Sequence, residues 1–412
     1  MLKKILLFIL FCSFSINSFS QEINYKKYSY TEFFNMIEEE QDSIFELKDV
    51  IIKINLETDE RFFITQEELT SMASYNEKFK EFKVAKKINK AITLNNVQFE
   101  FSIRMNDKIK IGVIQNIEFL KPVSLTNVSN IIFKNVKFKH KFKIDYTSNY
   151  REVSNFKKMN FANIVIYFNC LFNDHLEVFD SSENKSRVQF NVLNSLIKSD
   201  TIHKRNSTFF PTNLDLVFNG SWNITFANNY VEGYGVSRFY IKNIDEFEFL
   251  NNTFTNPVQL LLDNEKVNKI INNQFKQQLF LELGENLNSK FTLDYKQFNK
   301  NLFTYNINNY FFSEHEKLNT GFIPDIERLS KRNIKYYLEN ALIKNEFVYK
   351  NEQKLKGRLY QLYRQNFDTD FANLVYTDIK DLETLRSSYL YEKKPTFKGF
   401  FTWKINQFLK VF

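Results

Sequence analysis

Cysteine is nearly absent from this 412-residue chain, with Cys12 in the amino-terminal apolar stretch and Cys170 alone beyond it. Once that stretch is removed no intrachain disulfide can form, so stability must come from burial. Glycine (8) and proline (5) are scarce, and Gly-rich phosphate loops, the G-x-S-x-G elbow and EF-hand loops are all missing. The four histidines, His140, His175, His203 and His315, are scattered without zinc spacing. After the first twenty residues no apolar run reaches the roughly 18 residues of a membrane span. These absences exclude a disulfide scaffold and motif-bound phosphate, zinc or calcium chemistry. No cofactor is implied, and Cys170 falls at a core-like repeat position.

Residues 1–20 carry Lys3 and Lys4, an apolar run from Ile5 to Ile16, and Ser18 and Ser20 before Gln21. This is the pattern of a secretory signal peptide cleaved at Ser20/Gln21. Phe11 ahead of Cys12 is a poor lipoprotein context. An exported chain of about 390 residues (412 less 20) without bridges is large enough to build its own core, and fits a bacterial envelope protein. The net charge of +8 falls to +6 without Lys3 and Lys4, spread over many alternating lysines. Export removes nucleic acid as a partner and leaves a basic surface suited to anionic lipid or glycan. Abundant Lys, Asn, Phe and Ile with little Gly and Pro points to AT-rich codon usage.

What the chain does contain is a recurrent Asn followed three residues later by a large apolar residue. The pairs are Asn96…Phe99, Asn116…Phe119, Asn135…Phe138, Asn169…Phe172, Asn194…Ile197, Asn228…Val231, Asn251…Phe254 and Asn272…Phe275. The steps between these Asn are 20, 19, 34, 25, 34, 23 and 21 residues, and a recurrence near twenty fits one coil of a parallel β-helix. Asn tolerates left-handed φ, so it marks a turn, and stacked Asn amides can ladder between coils. Segments such as 131–144 alternate apolar and polar residues, with Phe138, Phe142 and Ile144 against Lys137, Lys139, Lys141 and Lys143. The two steps of 34 hold polar excursions around Thr147–Asn160 and Lys204–Asn213, the expected long loops.

Helical patterns flank the repeats. Residues 30–40 form an amphipathic helix with Thr31 as N-cap and Phe33, Phe34 and Ile37 on one face, expected to cap the first coil. Residues 65–90 open with a Thr65…Glu68 capping box and read as a helical insertion on the solenoid's side or a mobile arm. From Ile326 the chain turns helical, with Asp368 or Asp370 as the N-cap of a last long helix. Its apolar face is read as Phe371, Val375, Ile379, Leu382 and Leu385, and its polar face as Asp378, Lys380, Asp381, Glu383 and Arg386. After Glu392 there are five lysines and no acid, interleaved with Phe397, Phe400, Phe401, Trp403, Phe408, Leu409 and Phe412. Such a segment suits a membrane interface, although Lys404 falls within its apolar arc.

The organisation expected is mainly β: a right-handed parallel β-helix with an amino-terminal cap helix and a carboxy-terminal α-helical hairpin. The segments are 1–20 signal peptide, 21–90 cap and helical insertion, 91–312 β-helix, 322–394 helical hairpin and 395–412 basic aromatic membrane-proximal segment. Leu359-Tyr360-Gln361-Leu362-Tyr363-Arg364, the turn with Asp368 and Asp370, Ala372, Tyr376, Asp378 to Leu382, Arg386 and Trp403-Lys404-Ile405-Asn406-Gln407-Phe408 carry a resemblance. They resemble bacterial envelope proteins with a pentapeptide-like β-helix, a helical hairpin and then membrane segments similar to a two-helix ion channel. The resemblance implies membrane helices further on; this sequence is then either a fragment cut at the membrane boundary or an ectodomain without the channel. The repeats depart from a strict five-residue pattern.

For chemistry, β-helices that act on polysaccharides need clustered carboxylates. The densest group is Asp174, His175, Glu177, Asp180 and Glu183, and adjacent coils are read as offering no acid at the same phase. The favoured function is a non-enzymatic exported scaffold or sensor ectodomain beside a membrane surface or membrane protein. The alternative is a carbohydrate-active β-helix that binds or cleaves acidic polysaccharide through Asp174, His175, Glu177 and Asp180.

Overall fold

The computed structural model describes residues 25–72, 84–146, 163–180, 184–199, 212–233, 236–263, 267–284, 287, 291–298, 301–304 and 331–409. Residues 1–20, read above as a signal peptide, the excursion at 147–160, most of the excursion at 204–213, Glu183 and Phe412 lie outside them.

Three parallel faces wind into a β-solenoid. Val236–Lys242 lies on the first face, Glu246–Leu250 on the second and Thr253–Phe254 on the third, after which Val258–Asp263 starts the next coil on the first. The first face steps in parallel register from Ile44–Lys53 to Leu302–Thr304. The second runs from Ile114–Gln115 to Phe291–Leu293, and the third from Lys86–Ile88 to Gln274–Phe275. Coil stacking therefore extends to both sides of the Asn-marked stretch.

Each of the eight marked Asn has φ between 50° and 59°, the left-handed region that a short polar side chain tolerates. They occupy two corners rather than one. Asn116, Asn135, Asn169, Asn194, Asn228, Asn251 and Asn272 turn the chain from the second face to the third. Along this corner the Asn169 Nδ2 donates to Asn135 Oδ1 at 2.7 Å, and the Asn169 backbone N–H donates to Leu193 O at 3.0 Å. Asn96 belongs to the corner after the first face, where its Nδ2 donates to Asp49 Oδ1 at 2.9 Å and Asn127 donates to Asn96 at 3.1 Å. The periodic reading merged two columns because the local demand, a left-handed turn before a strand, is the same at both.

The apolar residue three positions after each second-corner Asn stacks as expected. Phe119, Phe138, Phe172, Ile197, Val231, Phe254 and Phe275 are in register on the third face and all buried. Rings stack at 5.4 Å (Phe119–Phe138), 5.1 Å (Phe138–Phe172) and 5.6 Å (Phe254–Phe275). Stacking like on like fills each layer with side chains of matched shape.

A second ladder runs inside. After the last five Asn of this corner the next residue points inward: Cys170, Ser195, Asn229, Asn252 and Asn273 are all buried. Asn229 Oδ1 accepts the Ser195 N–H at 2.9 Å, Asn252 Oδ1 accepts from Asn229 at 3.0 Å, and Asn273 Oδ1 accepts from Asn252 at 2.9 Å. Their Nδ2 groups donate to Val192, Phe226 and Phe249 carbonyls. Each buried amide is thereby satisfied twice, as a low-dielectric interior requires. Cys170, one coil before Ser195, is a fully buried thiol, its pKa pushed up to about 12 by burial.

Helix α1 (Tyr30–Glu39) closes the amino-terminal end. Phe33 meets Phe45 and Phe99 edge-on, and Phe34 stacks on Phe62 at 4.9 Å. Its N-cap is Ser29, in a capping box with Glu32, and not Thr31. Asp59 takes the Tyr30 and Thr31 N–H groups, so the helix starts two residues earlier than the Thr31 assignment placed it. Helix α2 (Gln66–Met72) opens with the expected Thr65–Glu68 capping box. Its Leu69 joins a cluster with Val113 and Ile132 and with Ile64 and Ile111 of a small antiparallel sheet of Phe63–Thr65, Ser102–Met105 and Lys108–Gly112.

Candidate membrane-interface helix

Among the described residues four helices follow the last coil: α3 (Lys331–Lys344), α4 (Glu346–Gln365), α5 (Thr369–Lys393) and α6 (Phe397–Leu409). The α4/α5 hairpin turns through Phe367 at φ 60°, and the Asp368 side chain caps α5 by accepting from Phe371 N–H at 3.1 Å. Leu355, Leu359, Leu362, Tyr363, Ala372 and Val375 join the solenoid core, so the hairpin is the lid of its carboxy-terminal end. Around α3, Leu338 and Leu342 pack with Phe280, Phe303, Val348 and Leu382.

The lid is also fastened by polar groups. Glu352, fully buried, accepts the Thr304 N–H at 2.7 Å, and Tyr363 donates its hydroxyl to Leu293 O at 2.8 Å. Tyr295 donates its hydroxyl to Asp378, and Lys356 lies 3.8 Å from Glu352 and 3.6 Å from Asp378. Burial raises the Glu352 carboxyl, partly offset by Lys356 and the Thr304 N–H. Two residues read as the polar face of α5 thus face inward, Asp378 to Tyr295 and Arg386 to the Ile343 carbonyl, while Leu385, read as apolar-face, is exposed. The wheel could not foresee that α5 packs between a coil and α3 and needs polar groups on both contacts.

Helix α6 buries none of its residues. It rests on the end of α5, where Trp403 stacks on Tyr391 at 5.8 Å and Asn406 Nδ2 donates to Ser387 Oγ at 3.3 Å. A side chain at Gly399 would come within 3.6 Å of the Tyr391 ring, so Gly399, Trp403 and Asn406 form the docked face. At 3.6 residues per turn the opposite face carries Phe397, Phe401, Ile405 and Phe408, exposed to 81%, 51%, 52% and 63%. Phe400 and Leu409 are exposed at its margins. Lys398 and Lys404 flank this strip, and Lys393 and Lys394 precede it, all four exposed. Lys404 leaves the apolar arc sideways, its Nζ lying 4.4 Å from the Trp403 ring. No helix among the described residues is long and apolar enough to cross a membrane.

The acidic group lies at and on the first-face strand Leu176–Asp180, and Asp174, His175, Glu177 and Asp180 are all buried. Glu177 meets Lys141 at 2.7 Å and His175 Nε2 at 3.6 Å. Its neighbour in the next coil is Asp215, at the same phase, which corrects the expectation that adjacent coils lack an acid there. The intervening excursion hid that register in the sequence. Asp215 is held by Arg238, whose Nε donates at 2.8 Å. The column Lys143, Glu177, Asp215, Arg238, Gln259 thus sets acids between cations, which neutralises the pair inside the sheet. Among the described residues no cluster could hold a metal ion. A shallow pocket of about 500 Å³ lies elsewhere, at the amino-terminal end, between Tyr28, Lys53 and Glu57.

Fold and site together define a parallel β-solenoid capped by helices at both ends, with an aromatic helix presented at its carboxy-terminal lid. The chain matches no protein-family model, no curated protein and no solved structure.

Proposed function

We propose that this chain is an exported, non-enzymatic β-helical scaffold or sensor ectodomain of a bacterial envelope, held with its helical lid next to a membrane. The observation that carries the reading is α6, which exposes an aromatic strip while its other face is tied to a lid anchored on the last coil. A surface that apolar on an isolated chain marks an interaction site. The signal-peptide pattern of residues 1–20 supports export, and the resemblance of the helical stretch to channel-bearing envelope proteins supports membrane proximity. The pairing of Glu177 and Asp215 with cations supports a structural role for the acids.

The test is expression in a bacterium, followed by fractionation and determination of the mature amino terminus. The expected result is cleavage before Gln21 and recovery with membranes, with release to the soluble envelope fraction when residues 396–412 are deleted. An uncleaved cytoplasmic chain would remove export from the reading. A deletion that leaves the distribution unchanged would remove the membrane-proximal lid.

A further inference from the structure

We infer that α6 is an in-plane anchor for an anionic lipid surface, with Phe397, Phe401, Ile405 and Phe408 inserted and Trp403 held out of the lipid as the clasp to α5. This rests on the membrane-proximal reading and names the partner of that same site.

The geometry favours lipid for three reasons. First, the strip faces directly away from the protein, because Gly399, Trp403 and Asn406 occupy the opposite face against Tyr391 and Ser387. A helix that docks one face on protein and presents an apolar strip on the other is suited to lying in a membrane interface. Second, the charge beside the strip has one sign. Lys393, Lys394, Lys398 and Lys404 are exposed, and residues 393–412 contain no acid. A bilayer bearing anionic phosphates meets cations on both sides of an apolar ridge at once. Third, the polar atoms of the presented face are lysine amines at its borders, whereas Phe397, Phe401, Ile405 and Phe408 offer no hydrogen-bonding side chain to a protein groove. Sequence alone ranks Trp403 among the interfacial anchors; the stacking on Tyr391 assigns it the opposite job.

The experiment uses the purified full chain with two vesicle types, one of zwitterionic phosphatidylcholine and one containing phosphatidylglycerol, with brominated acyl chains for depth quenching. Binding is expected to be at least about tenfold stronger to the anionic vesicles and to fall with salt, since each lysine near such a surface contributes about 1 kcal/mol. The Trp403 signal, obtained by difference from Trp403→Phe, should be quenched weakly. A tryptophan placed by Phe401→Trp in the Trp403→Phe background should be quenched strongly. Phe401→Asp with Phe408→Asp should abolish binding while leaving circular dichroism and the melting temperature unchanged, because both side chains are exposed. Equal binding to both vesicle types would overturn the anionic preference, and equal quenching at the two positions would overturn the orientation. A chain that fractionates with cell membranes yet ignores both vesicles would overturn the lipid partner in favour of a protein one, leaving the membrane-proximal reading intact.

Discussion

Glu352 Oε2 accepts the backbone N–H of Thr304 at 2.7 Å, on the last strand of the first face among the described residues. An open strand edge presents unpaired donors; here a helical carboxylate takes one of them, and the lid supplies the apolar cover.

That contact makes the lid sensitive to pH. Burial raises the folded-state carboxyl of Glu352 above its unfolded value, so the native chain binds the proton more tightly than the unfolded one. The linked stability is fully present below the unfolded value and is lost as pH rises through the folded one. Glu352→Gln keeps an acceptor for Thr304 and should be more stable than the parent at neutral pH, with the difference closing as pH falls. Glu352→Ala leaves the Thr304 N–H without its acceptor, while Lys356 keeps Asp378, and should cost about 1–3 kcal/mol. Melting temperature against pH for the three chains checks both; a Glu352→Gln curve parallel to the parent's would refute the linkage.

The two Asn of one corner should behave differently. Asn251 has φ 54° and is exposed, whereas Asn252 is fully buried. Asn251→Gly retains the left-handed turn and should change stability by only a few tenths of a kcal/mol, whereas Asn251→Val should cost about 1–3 kcal/mol. Asn252→Ala strips partners from the Asn229 N–H and the Phe226 carbonyl and should cost about 2–5 kcal/mol. Urea unfolding of the three variants separates turn geometry from core hydrogen bonding.

Cys170 should ignore thiol reagents in the folded chain. Its thiol is fully buried and its ionisation is pushed up to about 12, leaving almost no thiolate at neutral pH. Labelling is expected only at the global unfolding rate, which makes Cys170 a built-in reporter of core opening. Prompt labelling under native conditions would show that the solenoid opens locally around Asn169.

His175→Ala and Glu177→Ala should act on stability. Removing the Glu177 carboxylate frees Lys141 and leaves Asp215 with Arg238, for an expected loss of about 1–3 kcal/mol. Thermal melts check this, alongside an assay for unsaturated products on acidic polysaccharides. Product formed by the parent and abolished in either variant would reinstate the carbohydrate-active alternative.

Much of this was legible in the chain. The Asn marks expose their function locally, since left-handed φ and a following strand are demands on neighbours in sequence, and the seven third-face pairs stack as their spacing says. The inner amide ladder was visible only as a doubled Asn at 228–229, 251–252 and 272–273. That doubling goes unread because a periodic scan rewards apolar residues at inward positions. In the helical part, Asp368 announced itself as a cap, while Asp378 and Arg386 looked like solvent-facing charges until the coil and α3 were set against them.

Short-range periodicity and capping write the solenoid, its corner residues, its two helical ends and the basic aromatic composition of its last helix into the chain. Packing alone sets which Asn share a corner, that Glu177 and Asp215 are neighbours, that Glu352 takes the Thr304 N–H, and which side of α6 faces outward. Those relations join residues separated by excursions of variable length, and the phase across such an excursion is set by packing against the previous coil, where no local pattern records it.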